Sequence, residues 1–150
     1  MANIQINRIK NKLKDLFNDK IYMENVTATN NSSEFEKMWY SRAYSAYSTF
    51  LLGSESVDEA ATSVTDGFDD YGIDAIFNDK NKKILYFIQT KFSNEATGSI
   101  SEGDTHKFIR GIKKIINLDF SNFNELVIKK QSEIENALSD FDYRLEIIIC

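Results

Sequence analysis

Three polar residues, Asp74, Gln89 and Lys91, interrupt two apolar runs that are typical of neighbouring strands. The runs cover residues 73 to 77 and 83 to 92, and only five polar residues separate them, which predicts a β-hairpin. Antiparallel pairing brings the start of the first strand to the end of the second. Gln89 and Lys91 are two residues apart and point to the same face. The spacing therefore predicts that a carboxylate, an amide and an ammonium group converge at one end of the hairpin.

This combination of groups suits metal-assisted hydrolysis of a phosphodiester. Hard divalent cations prefer oxygen ligands, and the Asp74 carboxylate, the Gln89 side-chain oxygen and the Thr90 main-chain carbonyl could supply three of them. Mg²⁺ or Mn²⁺ could lower the pKa of water and neutralise charge on the phosphate, while Lys91 could orient the water or stabilise the transition state. The alternative is structural, because Lys91 could simply neutralise Asp74 at the rim of the sheet.

Hydrophobic periodicity predicts an α/β chain around this hairpin. The run 84 to 88 is apolar throughout, which favours a central strand covered on both faces. Ser33 and Glu36 have the spacing of a capping box at a helix start. The predicted helices are 3–18, about 33–52, about 104–118 and about 122–139, and a last strand covers 143–150. Such an apolar strand is rarely an unprotected edge, so we expect the domain to continue in a longer protein.

Two segments resemble motif blocks of a known superfamily. Residues 66 to 76 read DGFDDYGIDAI, and residues 85 to 92 read LYFIQTKF. They resemble the D-G-x-x-D-x-G-I-D-A-I and L-Y-x-I-Q-x-K-[YF] blocks of PD-(D/E)XK nucleases, most closely those of the abortive-infection phage-resistance (AIPR) family and more distantly Mrr-type restriction endonucleases. The likeness implies a nuclease-like domain over 33–150 with a restriction-endonuclease-like core, a central mixed sheet flanked by helices in αβββαβ order. Residues 1–32 would add an N-terminal helix and loop.

The resemblance also implies roles for individual residues. Asp74 becomes the metal-binding acid, Gln89 takes the place of the usual Asp or Glu, and Lys91 becomes the catalytic lysine. Glu36 resembles an acid on the first helix of the family and is an additional candidate ligand, because neutral Gln89 leaves the site one negative charge short. Its alternative role is the capping box. Asp70 is expected to hold the glycine-containing turn through backbone hydrogen bonds rather than to touch the metal.

The charge distribution gives a candidate surface for nucleic acid. A net charge of -5 argues mildly against a nucleic-acid binder, but the charge is uneven: residues 54 to 79 hold eight acids and no lysine or arginine. One face of the helix 104–118 is basic instead, which favours phosphate contacts, although a solvated helix face is the alternative. The residues of this predicted stripe are Lys107, Arg110, Lys113 and Lys114. His106 is expected to be a surface residue without a role.

Composition excludes several other chemistries. A single Cys and a single His exclude an intrachain disulfide, Cys-rich zinc modules and HExxH metalloproteases. The first residues lack a signal-peptide pattern and no run could span a bilayer, so we expect a cytoplasmic protein without membrane contact.

The expected function is that of a Mg²⁺- or Mn²⁺-dependent endonuclease that cuts nucleic acid, with DNA as the expected partner, in bacterial anti-phage defence or restriction. A homodimer and a further C-terminal domain are compatible with this expectation. The alternative is a catalytically weak or inactive nuclease-fold module that binds nucleic acid or a partner protein. A third alternative is that residues 1–150 form only part of a functional unit.

Overall fold

In the computed structural model, which describes residues 2–26, 32–95 and 97–150, a three-stranded mixed sheet is flanked by helices. This confirms the predicted α/β class. The elements are α1 (Ala2–Phe17), α2 (Ser32–Leu52), α3 (Val57–Thr62), β1 (Ala75–Asp79), β2 (Ile84–Gln89), α4 (Glu102–Ile116), α5 (Glu125–Ile128), α6 (Gln131–Ser139) and β3 (Arg144–Ile149). None of the helices within these ranges is long and apolar enough to cross a membrane.

Strand β2 lies at the centre of the sheet, as its apolar sequence predicts. It pairs antiparallel with β1, so that Ala75 lies opposite Ile88, and parallel with β3, so that Ile84 lies opposite Arg144. All six β2 residues are buried.

The αβββαβ order requires a third strand before α4. In the described ranges that place holds an isolated bridge between Val64 and Ala75 instead.

Each face of β2 packs into a different hydrophobic cluster, which confirms the expectation that both faces are covered. Leu85 and Phe87 pack with apolar residues of α4, α5 and α6, among them Phe108. Tyr86 and Ile88 face the other way, toward Leu52 at the end of α2. Because side chains alternate along a strand, a continuous apolar run serves both clusters. The end of β2 therefore emerges between two packed layers.

Helix α1 packs on α2 and α3 in a third cluster. Leu13 and Phe17 of α1 are fully buried against Tyr40 and Ala43 of α2. Phe35 and Met38, which the helical periodicity places inward, are instead exposed. Helix α2 begins at Ser32, one residue before the predicted cap.

The predicted helix 122–139 is two shorter helices. Asn124 caps α5 by accepting a hydrogen bond from the Val127 amide, and α5 ends after one turn. Lys130 then lies at φ −96° and ψ −3°, outside regular helical geometry, and α6 begins at the next residue. Neither glycine nor proline marks this break, so residue type gave no signal for it.

Gly111 lets α4 approach the turn that precedes β1. A Cβ at this position would lie 2.6 Å from Tyr71 Cβ and 3.2 Å from Ile73 Cδ1. We expect Gly111→Ala to lower the free energy of unfolding in urea by about 1–3 kcal/mol, because overpacking outweighs the gain in helix propensity of roughly 1 kcal/mol. Gly103→Ala is the matched control, because its Cβ would meet only Ser101 Oγ, at 3.8 Å. Equal stability of the two variants would contradict the close approach.

A candidate metal centre

The turn before β1 gathers three carboxylates. Side-chain oxygens of Asp66, Asp70 and Asp74 lie within 4.8 Å of one another, so this acid cluster could hold a metal ion. The four-residue spacing would suit a helix, but the segment is a turn, with positive φ at Asp69 (57°) and Tyr71 (55°). The left-handed residues bend the chain so that its acids face one another.

Asp70 holds this turn through the backbone hydrogen bonds that were expected. Its Oδ2 accepts from the Gly67 amide at 3.1 Å, and its Oδ1 accepts from the Gly72 amide at 2.6 Å. Gly72 has φ 75°, and a Cβ there would lie 3.0 Å from Gln89 Nε2. The Lys107 ammonium lies 3.6 Å from Asp70 Oδ1. Asp70 is therefore both a turn-forming residue and a member of the acid cluster.

Asp74 and the Thr90 main chain face each other across the hairpin. Asp74 Oδ2 accepts hydrogen bonds from the Thr90 amide at 2.6 Å and from its hydroxyl at 3.3 Å. The Gln89 carbonyl and the Lys91 amide both bond to Cys150, beyond the end of β3. Since successive trans peptides alternate in direction, the Thr90 carbonyl points away from β3, to the side of its own amide. The Asp74 carboxylate and the Thr90 carbonyl are thus on the same side of β2.

Gln89 contributes a buried oxygen that lacks a partner. Its Nε2 donates to the Asp104 carbonyl at 3.2 Å, whereas Oε1 has no hydrogen-bond partner in the described part of the chain. An unsatisfied buried acceptor costs about 1–3 kcal/mol, so this oxygen is suited to receive a ligand. Gln89 lines a cavity of about 200 Å³ together with Asp74 and Lys91. The atoms that could bind a metal here are all oxygens, which fits a hard divalent cation.

Burial and mutual repulsion favour protons on the acid cluster. Burial, followed by the charge of Asp66, raises the pKa of Asp74 to about 8, although hydrogen bonds from Thr90 oppose the shift. Burial, followed by the charge of Asp70, raises the pKa of Asp66 to about 6, although the charge of Arg42 opposes it. A cation bound to these oxygens would therefore displace protons at neutral pH.

Arg42 and Asp66 are site components that the sequence did not reveal. The Arg42 side chain is buried, donates to the Tyr22 carbonyl and to Asn25 Oδ1, and lies 3.9 Å from Asp66 Oδ2 through its Nε. Arginines are mostly exposed, so sequence alone would place the Arg42 side chain on the solvent-facing side of its helix. The available signal was its place one turn before the buried Ala46. The glycines near Asp66 indicate only a turn, and the signal for the acid cluster was the recurrence of aspartate at intervals of four residues, at positions 66, 70 and 74.

The structure does not bring Glu36 to the acid cluster. The α2 side chain that contacts Thr90, just after β2, is Ser45, whose hydroxyl lies 2.7 Å from the Thr90 hydroxyl. At about 100° per residue, Glu36 lies roughly 180° around the helix from Ser45 and two and a half turns earlier. Glu36 is exposed, and its charge acts on Lys14 instead. It therefore lies too far around α2 to join Asp74 as a ligand.

The predicted basic stripe on α4 has two parts. Lys107 lines the cavity beside Asp70, and Lys114 pairs with Asp119 and lies 5.7 Å from the centre of the Tyr71 ring. Arg110 and Lys113 are exposed, and neither makes an ion pair with the residues that the structure describes. Lys107 therefore belongs to the candidate site, and of the four residues of the stripe only Arg110 and Lys113 are without an ion pair within the described ranges.

Lys91 lies at the rim of the cavity, and its side chain is exposed. Hydrogen bonds from Ser101 and, to a smaller extent, the charges of Lys91 and Lys107 lower the pKa of Asp104. The ammonium thus contributes positive charge at the cavity mouth. His106 is exposed, 3.9 Å from Glu102 Oε1.

Comparisons with known proteins found no relative of this chain. The chain matches no protein-family model, no curated protein and no solved structure. Its function is therefore argued from the arrangement of its own side chains.

Proposed function

We propose that the chain is a Mg²⁺- or Mn²⁺-dependent nuclease domain of the PD-(D/E)XK type. The observation that carries the proposal is the meeting of Asp74, Gln89 and Lys91 at one cavity, with two further carboxylates, Asp66 and Asp70, beside Asp74. An acid cluster by itself is common on protein surfaces. Here it is joined by a buried amide oxygen that has no hydrogen-bond partner among the described residues and by an ammonium at the cavity mouth, which together match the needs of phosphodiester hydrolysis.

Each residue of the candidate site would have its own role in the reaction. Asp74 with Asp66 or Asp70, the Gln89 side-chain oxygen and the Thr90 carbonyl would hold the cation. When bound, the cation would supply Lewis-acid activation of water and neutralise phosphate charge. Lys91 would stabilise charge that develops on the phosphate, because its ammonium lies at the rim of the same cavity and its main-chain amide is held by the Cys150 carbonyl.

The architecture supports the same proposal at a coarser level. An antiparallel hairpin has the acid directly before one strand and the Gln-x-Lys sequence at the end of the other, and β3 returns parallel to β2 after the helical segment. This arrangement is compatible with a restriction-endonuclease-like core of the AIPR type. Anti-phage defence or restriction in the cytoplasm, with DNA as the substrate, is part of the proposal.

Lys91→Ala tests the proposal directly. Wild-type protein should cleave plasmid or single-stranded DNA with Mg²⁺ or Mn²⁺ and not with EDTA, and the variant should lose about 10²–10³-fold in rate, as for one preorganised electrostatic group. The matched control is Lys80→Ala, an exposed lysine at the opposite end of the same hairpin, 3.7 Å from Glu133. The same trace activity in wild type and Lys91→Ala under all conditions would exclude catalysis by this site.

A specific observation supports a second candidate function, a nuclease-like module that binds nucleic acid without cutting it. Neutral Gln89 and an Asp74 pKa of about 8 both weaken cation binding at neutral pH. This candidate predicts salt-dependent DNA binding without any metal-dependent product in the same assay.

A further inference from the structure

A second cavity adjoins the candidate metal centre along the chain. It measures about 320 Å³ and is lined by Lys37 and Tyr40 of α2 and by residues 92 to 95. Lys91 lines the acid cavity and Phe92, the next residue, lines this one. Consecutive residues therefore line the two cavities.

Helix α1 adds two more lysines to the same place. The Lys10 and Lys14 ammonium groups lie 5.0 Å and 5.6 Å from the centre of the Tyr40 ring. The two residues are one helical turn apart and share a face of α1. Tyr40 is itself buried and stacked on Phe92, with ring centres 5.6 Å apart, so it forms the floor of the groove and cannot stack with a base.

The positive charge of this groove is not neutralised by ion pairs. Within the described ranges, Lys10, Lys14 and Lys37 make none, and the nearby acids are Glu36, which acts on Lys14, and Glu95 in the lining. Lysines thus outnumber acids. On α4, by contrast, two of the four basic residues are already paired with carboxylates.

We propose that this basic groove, defined by Lys10, Lys14 and Lys37 over the Tyr40–Phe92 pair, binds the sugar-phosphate backbone of the nucleic acid whose scissile bond enters the acid cavity. The inference rests on the proposed nuclease function and adds the path of the substrate to it. The occupant is a polyanion because three ammonium groups on two helices, none of them in an ion pair within the described ranges, are complementary to several negative charges. The groove would recognise the backbone rather than the bases, since the Tyr40 ring is buried and Phe92 stacks on it.

The test compares two double substitutions on the same helix. Lys10→Glu with Lys14→Glu reverses the two charges on the groove face, whereas Arg8→Glu with Lys12→Glu makes the same charge change about 200° around α1. Binding of labelled single-stranded and duplex oligonucleotides is measured by fluorescence anisotropy in EDTA, over a range of salt. For the form that wild type binds more tightly, we expect the groove variant to raise Kd at least about tenfold and to reduce the salt slope by about 1–2.

The control double variant should change Kd by less than about threefold, and Lys37→Glu, on another helix, should weaken binding in the same direction as the groove variant. Equal losses in the two double variants, or an unchanged Kd in the groove variant, would overturn the groove. Failure of this inference is distinguishable from failure of the nuclease proposal. Wild type that cleaves with Mg²⁺ while the groove variant binds normally rejects only the groove. Binding lost in the groove variant without any cleavage by wild type rejects only catalysis.

Discussion

Asp74→Asn is expected to abolish metal-dependent cleavage while leaving the metal-free protein at least as stable as wild type. Asparagine removes a charged oxygen ligand, so the rate should fall by at least about 10²–10³-fold. Stability should be preserved because burial and the charge of Asp66 raise the pKa of Asp74 to about 8, so this carboxyl is mainly protonated at pH 7 without metal. A neutral amide of nearly the same shape then replaces a neutral acid.

The two readouts are initial cleavage rates with Mg²⁺ and urea unfolding in EDTA. Asp142→Asn is the control, because Asp142 is an exposed carboxylate whose partner is Lys83, at 3.2 Å. That variant should keep the wild-type cleavage rate. Full activity of Asp74→Asn would remove Asp74 from the site. A large loss of stability in EDTA would instead mean that its ionised carboxylate is a partner the fold requires.

The metal-free protein is expected to lose about 4 kcal/mol of stability as pH rises from about 5 to about 7. Asp74 and Asp66 have folded-state pKa values of about 8 and about 6, both above the ordinary 3.8. In this window the folded state keeps protons that the unfolded state has already released, so rising pH favours unfolding. The stabilisation is fully present below the ordinary value and disappears as the folded-state groups ionise.

Urea unfolding at pH 5, 6 and 7 in EDTA measures this effect. Asp66→Asn with Asp74→Asn should flatten the pH dependence, and saturating Mg²⁺ should flatten it as well, because the cation takes the place of the protons. Stability that stays constant or rises over this range would show that the acid cluster is ionised in the metal-free protein. The cluster titrates as a unit, so the total change, not the share of each residue, is the quantity compared.

The local sequence pattern was enough to predict that Asp74, Gln89 and Lys91 lie at one end of the hairpin. The apolar run of β2 and the short polar connection after β1 predicted the hairpin, and pairing Ala75 with Ile88 places Asp74 opposite Gln89. The alternation of side chains then brings Lys91 to the same cavity. These relations depend on residues close in sequence, so periodicity and hairpin geometry contain them.

Relations between distant segments were not predictable in the same way. Arg42 meets Asp66 only because α2 packs across the sheet, and no single-sequence rule places a buried guanidinium on that helix. The resemblance made Glu36 a candidate ligand beside its alternative role in a capping box, but the rotation of α2 turns Ser45, not Glu36, toward Thr90. Both outcomes depend on how one helix is turned about its axis, which tertiary packing decides.

The geometry of the turn from Asp66 to Asp74 restricts the length of this segment more strongly than it restricts which residues the segment contains. Its three acids meet because residues 69, 71 and 72 all have positive φ and because Asp74 is in register with the end of β2. Phe68, by contrast, has a side chain that is 93% exposed, so many residues would fit there. Insertion or deletion of one residue would rotate the acids apart and shift β1 by one position, which reverses its faces. Natural variation in this segment should therefore consist of substitutions at a fixed length of nine residues.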